Sequence, residues 1–138
     1  FQPGHLDRLA AETDTVPAVN QIEVHPYFAN DAVRAYGMQH DIVTQAWSPL
    51  AQGAVLADPA ITAIATRLGR TPSQVVLRWH VQRGDVVFPK TVKPERMREN
   101  FSLFDFELTD DDMAAISGLD LGEAGRNGPD PDTFDWIP

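Results

Sequence analysis

The chain has 138 residues, of which 43% are hydrophobic, and it contains no cysteine. This is enough for one ordinary domain with a core, and it excludes a disulfide scaffold and any cysteine-based metal or nucleophile site. The net charge of −9 argues against general nucleic-acid binding, and no apolar run approaches the roughly 20 residues of a membrane span. We therefore expect a cytoplasmic protein that binds neither nucleic acid nor membrane.

The charge is unevenly distributed along the chain. Residues 1–104 carry ten acidic and ten basic side chains, whereas the residues from 105 onward carry ten acids and a single base, Arg126. Within the balanced part, nine residues hold four bases: Lys90, Lys93, Arg96 and Arg98. A local basic cluster on a neutral body suits a small anionic ligand better than a polyanion.

The first part of the chain alternates helix and strand signals. A proline at the first position and apolar residues at helical spacing predict a helix over residues 3–11. An apolar run predicts a strand over 16–24, and Asn30 is a candidate N-cap for a second helix. Residues 42–47 predict a second strand, and residues 48–53 have the composition of a loop.

The second part continues the alternation with more helix than strand. We predict a strand over residues 86–89. We also predict four helices: one over 60–68, one from the Thr71 cap to about residue 84, one over 95–101, and one that begins at the Thr109 cap. Residues 122–138 are rich in Gly, Pro and Asp and are predicted to be irregular. Apolar strands alternating with helices indicate an α/β fold with parallel βαβ units. Pattern alone leaves a barrel and an open sheet as alternatives.

Three segments, in this order and at this spacing, resemble the aldo-keto reductases. They are VPAVNQIEVHPY at 16–27, IVTQAWSPLAQG at 42–53, and FPKTVKPERMRENF at 88–101, the last followed by FDFELT. They are similar to strands six, seven and eight of that family's (β/α)₈ barrel, in the branch of the bacterial 2,5-diketo-D-gluconate and methylglyoxal reductases. The resemblance covers essentially the whole chain.

The resemblance implies that residues 1–138 are the C-terminal half of a barrel, since a full barrel needs about 250 residues. The chain begins at Phe1 rather than at methionine, which also favours a fragment. The family's catalytic Asp, Tyr, Lys and His belong to the other half, as does a Ser-Asn pair that holds the nicotinamide amide. We therefore expect the 138 residues alone to be inactive, and to be aggregated, dimerised through open sheet edges or stable only beside the missing half. We expect the complete protein to be a monomer.

Four residues are assigned by the resemblance to the nicotinamide and pyrophosphate of NADPH. Gln21 would bond the carboxamide, and the alternative is a polar residue that closes a barrel layer. Trp47 would stack on the nicotinamide ring, and the alternative is a core tryptophan. Ser48 and Leu50 would contact the pyrophosphate.

The resemblance assigns the adenosine end of the cofactor to Lys90, Thr91, Val92, Arg96, Glu99 and Asn100. Physical chemistry supports this, because a 2′-phosphate dianion needs a point charge, a planar guanidinium and a hydroxyl donor. Lys90 and Thr91 follow a strand, and Arg96 lies in the first turn of a helix, where the helix dipole adds positive potential. Glu99 and Asn100 could bond the adenine amine. The alternative is a solvated helix with scattered charges.

Other polar residues are interpreted structurally. His25 and Tyr27 resemble an acid pair, but their loop position favours a packing role, and the histidines lack metal-ligand spacing. Residues 110–112 follow Thr109 and are explained by helix capping. Trp136 and Phe134 are candidates for lining the substrate mouth, with a loosely packed terminus as the alternative.

The function implied by the resemblance is reduction of aldehydes or ketones to alcohols by NADPH, with a small carbonyl compound as substrate. The alternative is a non-catalytic nucleotide-binding or structural protein on the same barrel, like the potassium-channel β subunits. The presence or loss of the catalytic tetrad in the other half of the barrel separates the two.

Overall fold

The computed structural model describes residues 1–135. Within them the elements run α1 (Pro3–Glu12), β1 (Val19–Glu23), α2 (Asp31–Gln39), β2 (Val43–Trp47), α3 (Pro59–Leu68), α4 (Pro72–Gln82), β3 (Val86–Val87), α5 (Pro94–Phe101) and α6 (Asp110–Ser117). Two 3₁₀ segments, Ala51–Ala57 and Gly122–Gly125, lie after β2 and after α6. The predicted alternation of helix and strand is confirmed.

The three strands form one parallel sheet in the order β1-β2-β3. Val19 lies opposite Val43, and Gln21 lies opposite Gln45, which in turn lies opposite Val86. Within the described residues β1 and β3 each pair with one strand, so the sheet is open at both edges. The predicted α/β fold, a partial barrel, is confirmed.

The two faces of the sheet have different surroundings. Ile22 and Ala46 are buried against the helices, in a core that includes the fully buried Trp79 of α4 and Ile116 of α6. Burying an aliphatic or aromatic side chain of this size contributes about 1.5–3 kcal/mol. Val19, on the opposite face, is 46% exposed. That face is the one a closed barrel would enclose.

The cap residues decide where two helices begin. Thr71 and Gln74 form a reciprocal capping box at the start of α4, and Thr109 and Asp112 form another at the start of α6. Both follow the predictions, because each box satisfies backbone N–H groups that the first turn leaves free. Asn30 occupies the N-cap position of α2, as predicted, but its side chain makes a different contact. Its side chain does not cap α2 but donates to the Glu23 carbonyl at 3.1 Å, with the residue in the left-handed region.

The strands are shorter than predicted, and one helical segment is additional. Residues 16–18 lie outside β1, and β3 stops at Val87 because its register with β2 ends there. The predicted loop over 48–53 runs into a 3₁₀ segment, residues 51–57, that contains the left-handed residues Gln52 and Gly53. Among the residues described, no helix combines the length and apolar character needed to cross a membrane.

Candidate nucleotide-binding site

Most predicted site residues lie at or beyond the carboxyl ends of the parallel strands, and one lies inside a strand. Gln21 is in the middle of β1, Trp47 is the last residue of β2, and Lys90 follows β3 by three residues. In α/β folds ligands bind at this end of the sheet, because the loops that leave it are free to vary. The fold therefore brings three segments that are distant in sequence to one edge.

Gln21 is paired with a residue that the sequence analysis did not select. Its Nε2 donates to Oε1 of Gln45 at 3.3 Å, and the two residues are in register on neighbouring strands. They share the open face of the sheet, so the pair presents two amides to the space in front of it. The signal in the sequence was an amide inside each of two apolar strands.

Trp47 lies outside the hydrophobic core and is partly exposed. The backbone of Gly128 packs against its edge so closely that a Cβ atom there would come within 2.3 Å of the indole Cη2. The ring is thus held by the tail of the chain, not by the core. Trp136 lies outside the described residues, and Phe134 is 57% exposed.

A cavity of about 250 Å³ gathers most of the predicted adenosine-end residues. Six predicted residues line it: Leu50, Lys90, Thr91, Arg96, Glu99 and Asn100. Leu56, Ser73 and Pro89 complete the wall and were not predicted. Val92 is not among the lining residues and its side chain is 78% exposed, while Gln21, Trp47 and Ser48 lie outside this cavity.

The basic residues around this cavity lack the ion pairs that the other basic residues make. Within the described residues, Lys90, Lys93, Arg96 and Arg98 form no salt bridge. All the other basic side chains do: Arg8, Arg34, Arg67, Arg70, Arg78, Arg83 and Arg126. Lys90 and Arg96 line the cavity. The cavity therefore carries positive charge that no described carboxylate compensates by direct pairing.

Glu99 is fixed at the wall of the cavity by the start of α4. The Thr71 hydroxyl donates to its carboxylate, and Nε2 of Gln74 donates to its backbone carbonyl at 3.2 Å. The N-terminus of α5 begins at Pro94, one turn before Glu99, and contributes the positive end of its helix dipole. This end of the cavity thus presents the Glu99 carboxylate as a hydrogen-bond acceptor in a fixed orientation, beside the positive end of the α5 dipole.

The segment after β2 has an uncommon backbone. Ser48, Ala51, Gln52 and Gly53 all have positive φ, at 49°, 46°, 55° and 98°. Left-handed conformations cost about 1–2 kcal/mol for residues with a Cβ, so they persist where the surroundings impose them. Such backbone strain clusters at binding sites, and Leu50, a predicted pyrophosphate contact, lies in this segment.

A fully buried histidine holds that segment in place. His80 of α4 lies with Nε2 3.1 Å from the Pro49 carbonyl and Nδ1 3.0 Å from Oδ2 of Asp85. Burial lowers the pKa of His80, although Asp85 opposes the shift. Both ring nitrogens are occupied by contacts within the chain, so the residue serves structure. Sequence reasoning missed this role, since the partners come from three different elements.

The remaining candidates have structural roles. The Tyr27 hydroxyl donates to Oδ2 of Asp58 at 2.9 Å, and His25 is fully buried. This agrees with the packing role expected for both residues. The described residues contain no cluster of three or more His, Asp or Glu side chains arranged to hold a metal ion.

Comparison with known proteins gives a consistent relationship. The model of the aldo/keto reductase family matches residues 1–121. An aldo-keto reductase of Mycolicibacterium smegmatis is 52% identical over 136 residues, covering 99% of this chain and 49% of its own length. Methylglyoxal reductase DkgA of Escherichia coli is 46% identical over 136 residues, covering 97% of this chain and 49% of its own.

Solved structures match the fold as well as the sequence. A variant of Gox0644 in complex with NADPH has a TM-score of 0.95 at 47% identity, covering 99% of this chain and 50% of that one. A putative 2,5-diketo-D-gluconic acid reductase B has a TM-score of 0.88 at 36% identity, covering 95% and 47%. The chain spans about half the length of the relatives it matches. It belongs to the aldo/keto reductase family, as its three sequence segments indicated.

Proposed function

We propose that this chain forms the NADPH-binding wall of a (β/α)₈ barrel that reduces aldehydes or ketones to alcohols. The observation that carries the proposal is the cavity of about 250 Å³ at the strand ends, into which six predicted residues converge and whose cations have no described carboxylate partner. In this proposal residues 1–138 are the C-terminal half of the barrel. NADPH, when bound, would supply the hydride.

The adenosine 2′-phosphate fits the positive wall of the cavity. Lys90 supplies a point charge, Arg96 a guanidinium and Thr91 a hydroxyl. Charge-assisted hydrogen bonds of this kind contribute about 1.5–3 kcal/mol each. Glu99 and Asn100 would bond the adenine amine from the same helix. A dianion there would take the place of the ion pairs that the other basic residues make within the chain.

The nicotinamide end would lie across the open face of the sheet. The Gln21–Gln45 amide pair offers donors and acceptors for the carboxamide, and the partly exposed Trp47 offers an aromatic face. Ser48 and Leu50, in the strained segment between the two ends, would contact the pyrophosphate. Trp136 at the substrate mouth and Val92 at the adenosine end of the cofactor stay predictions.

The proton donor for carbonyl reduction would come from the other half of the barrel. Within the described residues both buried histidines have lowered pKa values, and Tyr27 is engaged with Asp58. We therefore expect the 138 residues alone to oxidise no NADPH when offered methylglyoxal, the compound that DkgA is named for.

The proposal is tested in a chimera in which this chain replaces the matching half of E. coli DkgA. Replacing Lys90 and Arg96 with Gln should raise the KM for NADPH at least tenfold and leave the KM for NADH nearly unchanged, since NADH lacks the 2′-phosphate. Steady-state kinetics with methylglyoxal measures both constants.

A matched control removes the same charge from the same segment. Lys93→Gln with Arg98→Gln also deletes two unpaired bases, but neither lines the cavity. We expect less than a threefold change in either KM. Equal losses for NADPH and NADH in the first variant, or equal losses in both variants, would overturn the assignment of the 2′-phosphate.

A further inference from the structure

A buried carboxylate joins the end of β1 to the tail of the chain. Glu23 is 2% exposed, and its Oε1 and Oε2 accept hydrogen bonds from the backbone N–H groups of Asn127 and Gly128 at 2.8 and 2.9 Å. A buried carboxylate needs such donors, because an uncompensated charge away from water is costly. More than 100 residues of chain separate the partners.

His25 supplies the third contact to this carboxylate. Its Nε2 lies 3.0 Å from Oε1 of Glu23, and burial lowers the pKa of His25 despite the opposing effect of Glu23. Within the described residues Nδ1 has no partner, so the ring is oriented by Glu23 and by the amide of Asn127, 3.0 Å from Nε2.

The tail reaches this position along the loop that follows β1. The Leu121 N–H donates to the Tyr27 carbonyl at 3.0 Å, and Asp120 accepts from the Ala29 N–H at 3.0 Å. Arg126 lies with its guanidinium carbon 4.5 Å from the centre of the Phe28 ring. These contacts bring the backbone of residues 126–128, here named the tail anchor, to the end of the sheet.

The tail anchor ends on the tryptophan of the candidate site. Glu23 and Trp47 are register partners at the ends of β1 and β2. Gly128, whose N–H is held by Glu23, leaves no room for a Cβ atom beside the indole. One carboxylate therefore determines how closely the tail backbone packs on Trp47.

We propose that Glu23 is a positioning residue for Trp47: it fixes the tail anchor against the indole edge and so sets the orientation of the ring on which the cofactor would stack. The part that concerns the cofactor rests on the proposed function. The part that concerns the ring does not, since the contacts lie within the chain. Glu23 itself touches neither cofactor nor substrate in this account.

The first test replaces Glu23 with Gln in the DkgA chimera labelled with 5-fluorotryptophan. Gln has one oxygen acceptor fewer than Glu and no negative charge, so it holds the two backbone N–H groups less firmly. The peptide that spans residues 126–129 should therefore exchange its backbone hydrogens at least tenfold faster. The ¹⁹F resonance of Trp47, assigned with Trp47→Phe, should shift or broaden while that of the core Trp79 stays in place. Glu12→Gln, which breaks an exposed pair with Arg8 far from the tail anchor, is the control and should change neither readout.

A second variant keeps the proposal falsifiable if Glu23→Gln does not fold. Gly128→Ala leaves the carboxylate intact but pushes the tail from the ring, so it should move the Trp47 resonance and leave that of Trp79 unchanged. Unchanged exchange and an unchanged Trp47 resonance in the folded Glu23→Gln chimera, or an unchanged Trp47 resonance in Gly128→Ala, would overturn the proposal.

The link to the cofactor is measured separately in the same chimera. NADPH should shift the Trp47 resonance, and in Glu23→Gln the shift should fall to less than half, while the KM change caused by Lys90→Gln with Arg96→Gln persists. Absence of any NADPH shift in the parent chimera would contradict the proposed stacking role of Trp47 and leave the anchor intact. A full shift in the Glu23→Gln chimera would contradict the positioning role.

Discussion

The basic residues at the α2–α4 contact and those of α5 have opposite surroundings. Arg34 and Arg83 pair with Asp85 and Asp31, and Arg83 also lies over the Trp79 ring. The bases of α5 and the segment before it pair with no described carboxylate, and no residue of α5 is buried. The first group is paired with carboxylates inside the chain and holds elements together. The second group leaves its charge for an anion from outside.

The largest expected effect on stability comes from a substitution at Asp85, which pairs with Arg34. The side chain of Asp85 is 1% exposed and accepts from Nε of Arg34 at 2.9 Å, and Nδ1 of His80 lies 3.0 Å from it. Asp85→Asn removes the charge both partners face, so we expect it to lower the free energy of unfolding by about 3–5 kcal/mol. Urea unfolding measures this.

A control of the same chemistry uses an exposed pair. Asp105 is bonded to Arg70 at 2.8 Å, but its side chain is 62% exposed. Asp105→Asn should lower the free energy of unfolding far less than Asp85→Asn does, because water screens the pair. Comparable losses at both positions would mean that burial does not distinguish the two groups.

We expect a change of pH to alter the free energy of unfolding by less than Asp85→Asn does. Burial lowers the pKa of His80 from its ordinary value of 6.5, so the unfolded chain binds its proton first as pH falls. Stability should therefore decrease as pH falls below about 6.5. The pKa of Asp85 is also lowered: burial alone would raise it, but the His80 and Arg34 contacts outweigh this, and a further loss should follow below pH 3.8.

Urea midpoints between pH 7.5 and pH 5 check the first of these windows. His80→Gln should flatten the dependence over this range, although His25 contributes with the same sign. A chain that becomes more stable as pH falls from 7.5 to 5 would show that neither histidine is neutral in the folded state.

The smallest effect on stability is expected from Lys90 and Arg96, basic residues that make no ion pair with the described part of the chain. Lys90→Gln with Arg96→Gln should change the free energy of unfolding by no more than about 0.5 kcal/mol, because these side chains make no internal ion pair. Urea unfolding in the absence of nucleotide measures this. A loss as large as that of Asp85→Asn would give these residues a structural role and remove the argument for a ligand.

Features encoded locally were predictable from the sequence. The capping boxes at Thr71 and Thr109 fix two helix starts within four residues of chain, and the alternation of apolar runs gave the parallel sheet. The cavity residues of 90–100 were predictable for the same reason, since a strand end and the first turns of one helix hold them together.

Features made by distant segments were not predictable. Glu23 lay in a recognised strand, but its donors at 127 and 128 come from a tail expected to be irregular. The left-handed Ala51 and Gln52 carry no glycine signal, and the contact from His80 to the Pro49 carbonyl that holds this segment depends on tertiary packing. Gln45 needed the register between two strands before its pairing with Gln21 could be seen.

The glycines of this chain are required for two different reasons, a left-handed backbone or a lack of space for a side chain, and they differ in their tolerance to substitution accordingly. Gly69 ends α3 with a φ of 63° and open space around it, so the left-handed-tolerant Asn is its natural replacement. Gly125 has no such dihedral requirement, but a Cβ there would lie 1.7 Å from the Tyr27 carbonyl oxygen. Among related sequences we therefore expect Asn to replace Gly69 in some. At Gly125 and Gly128 any side chain would have to displace the tail, so we expect glycine to be kept there.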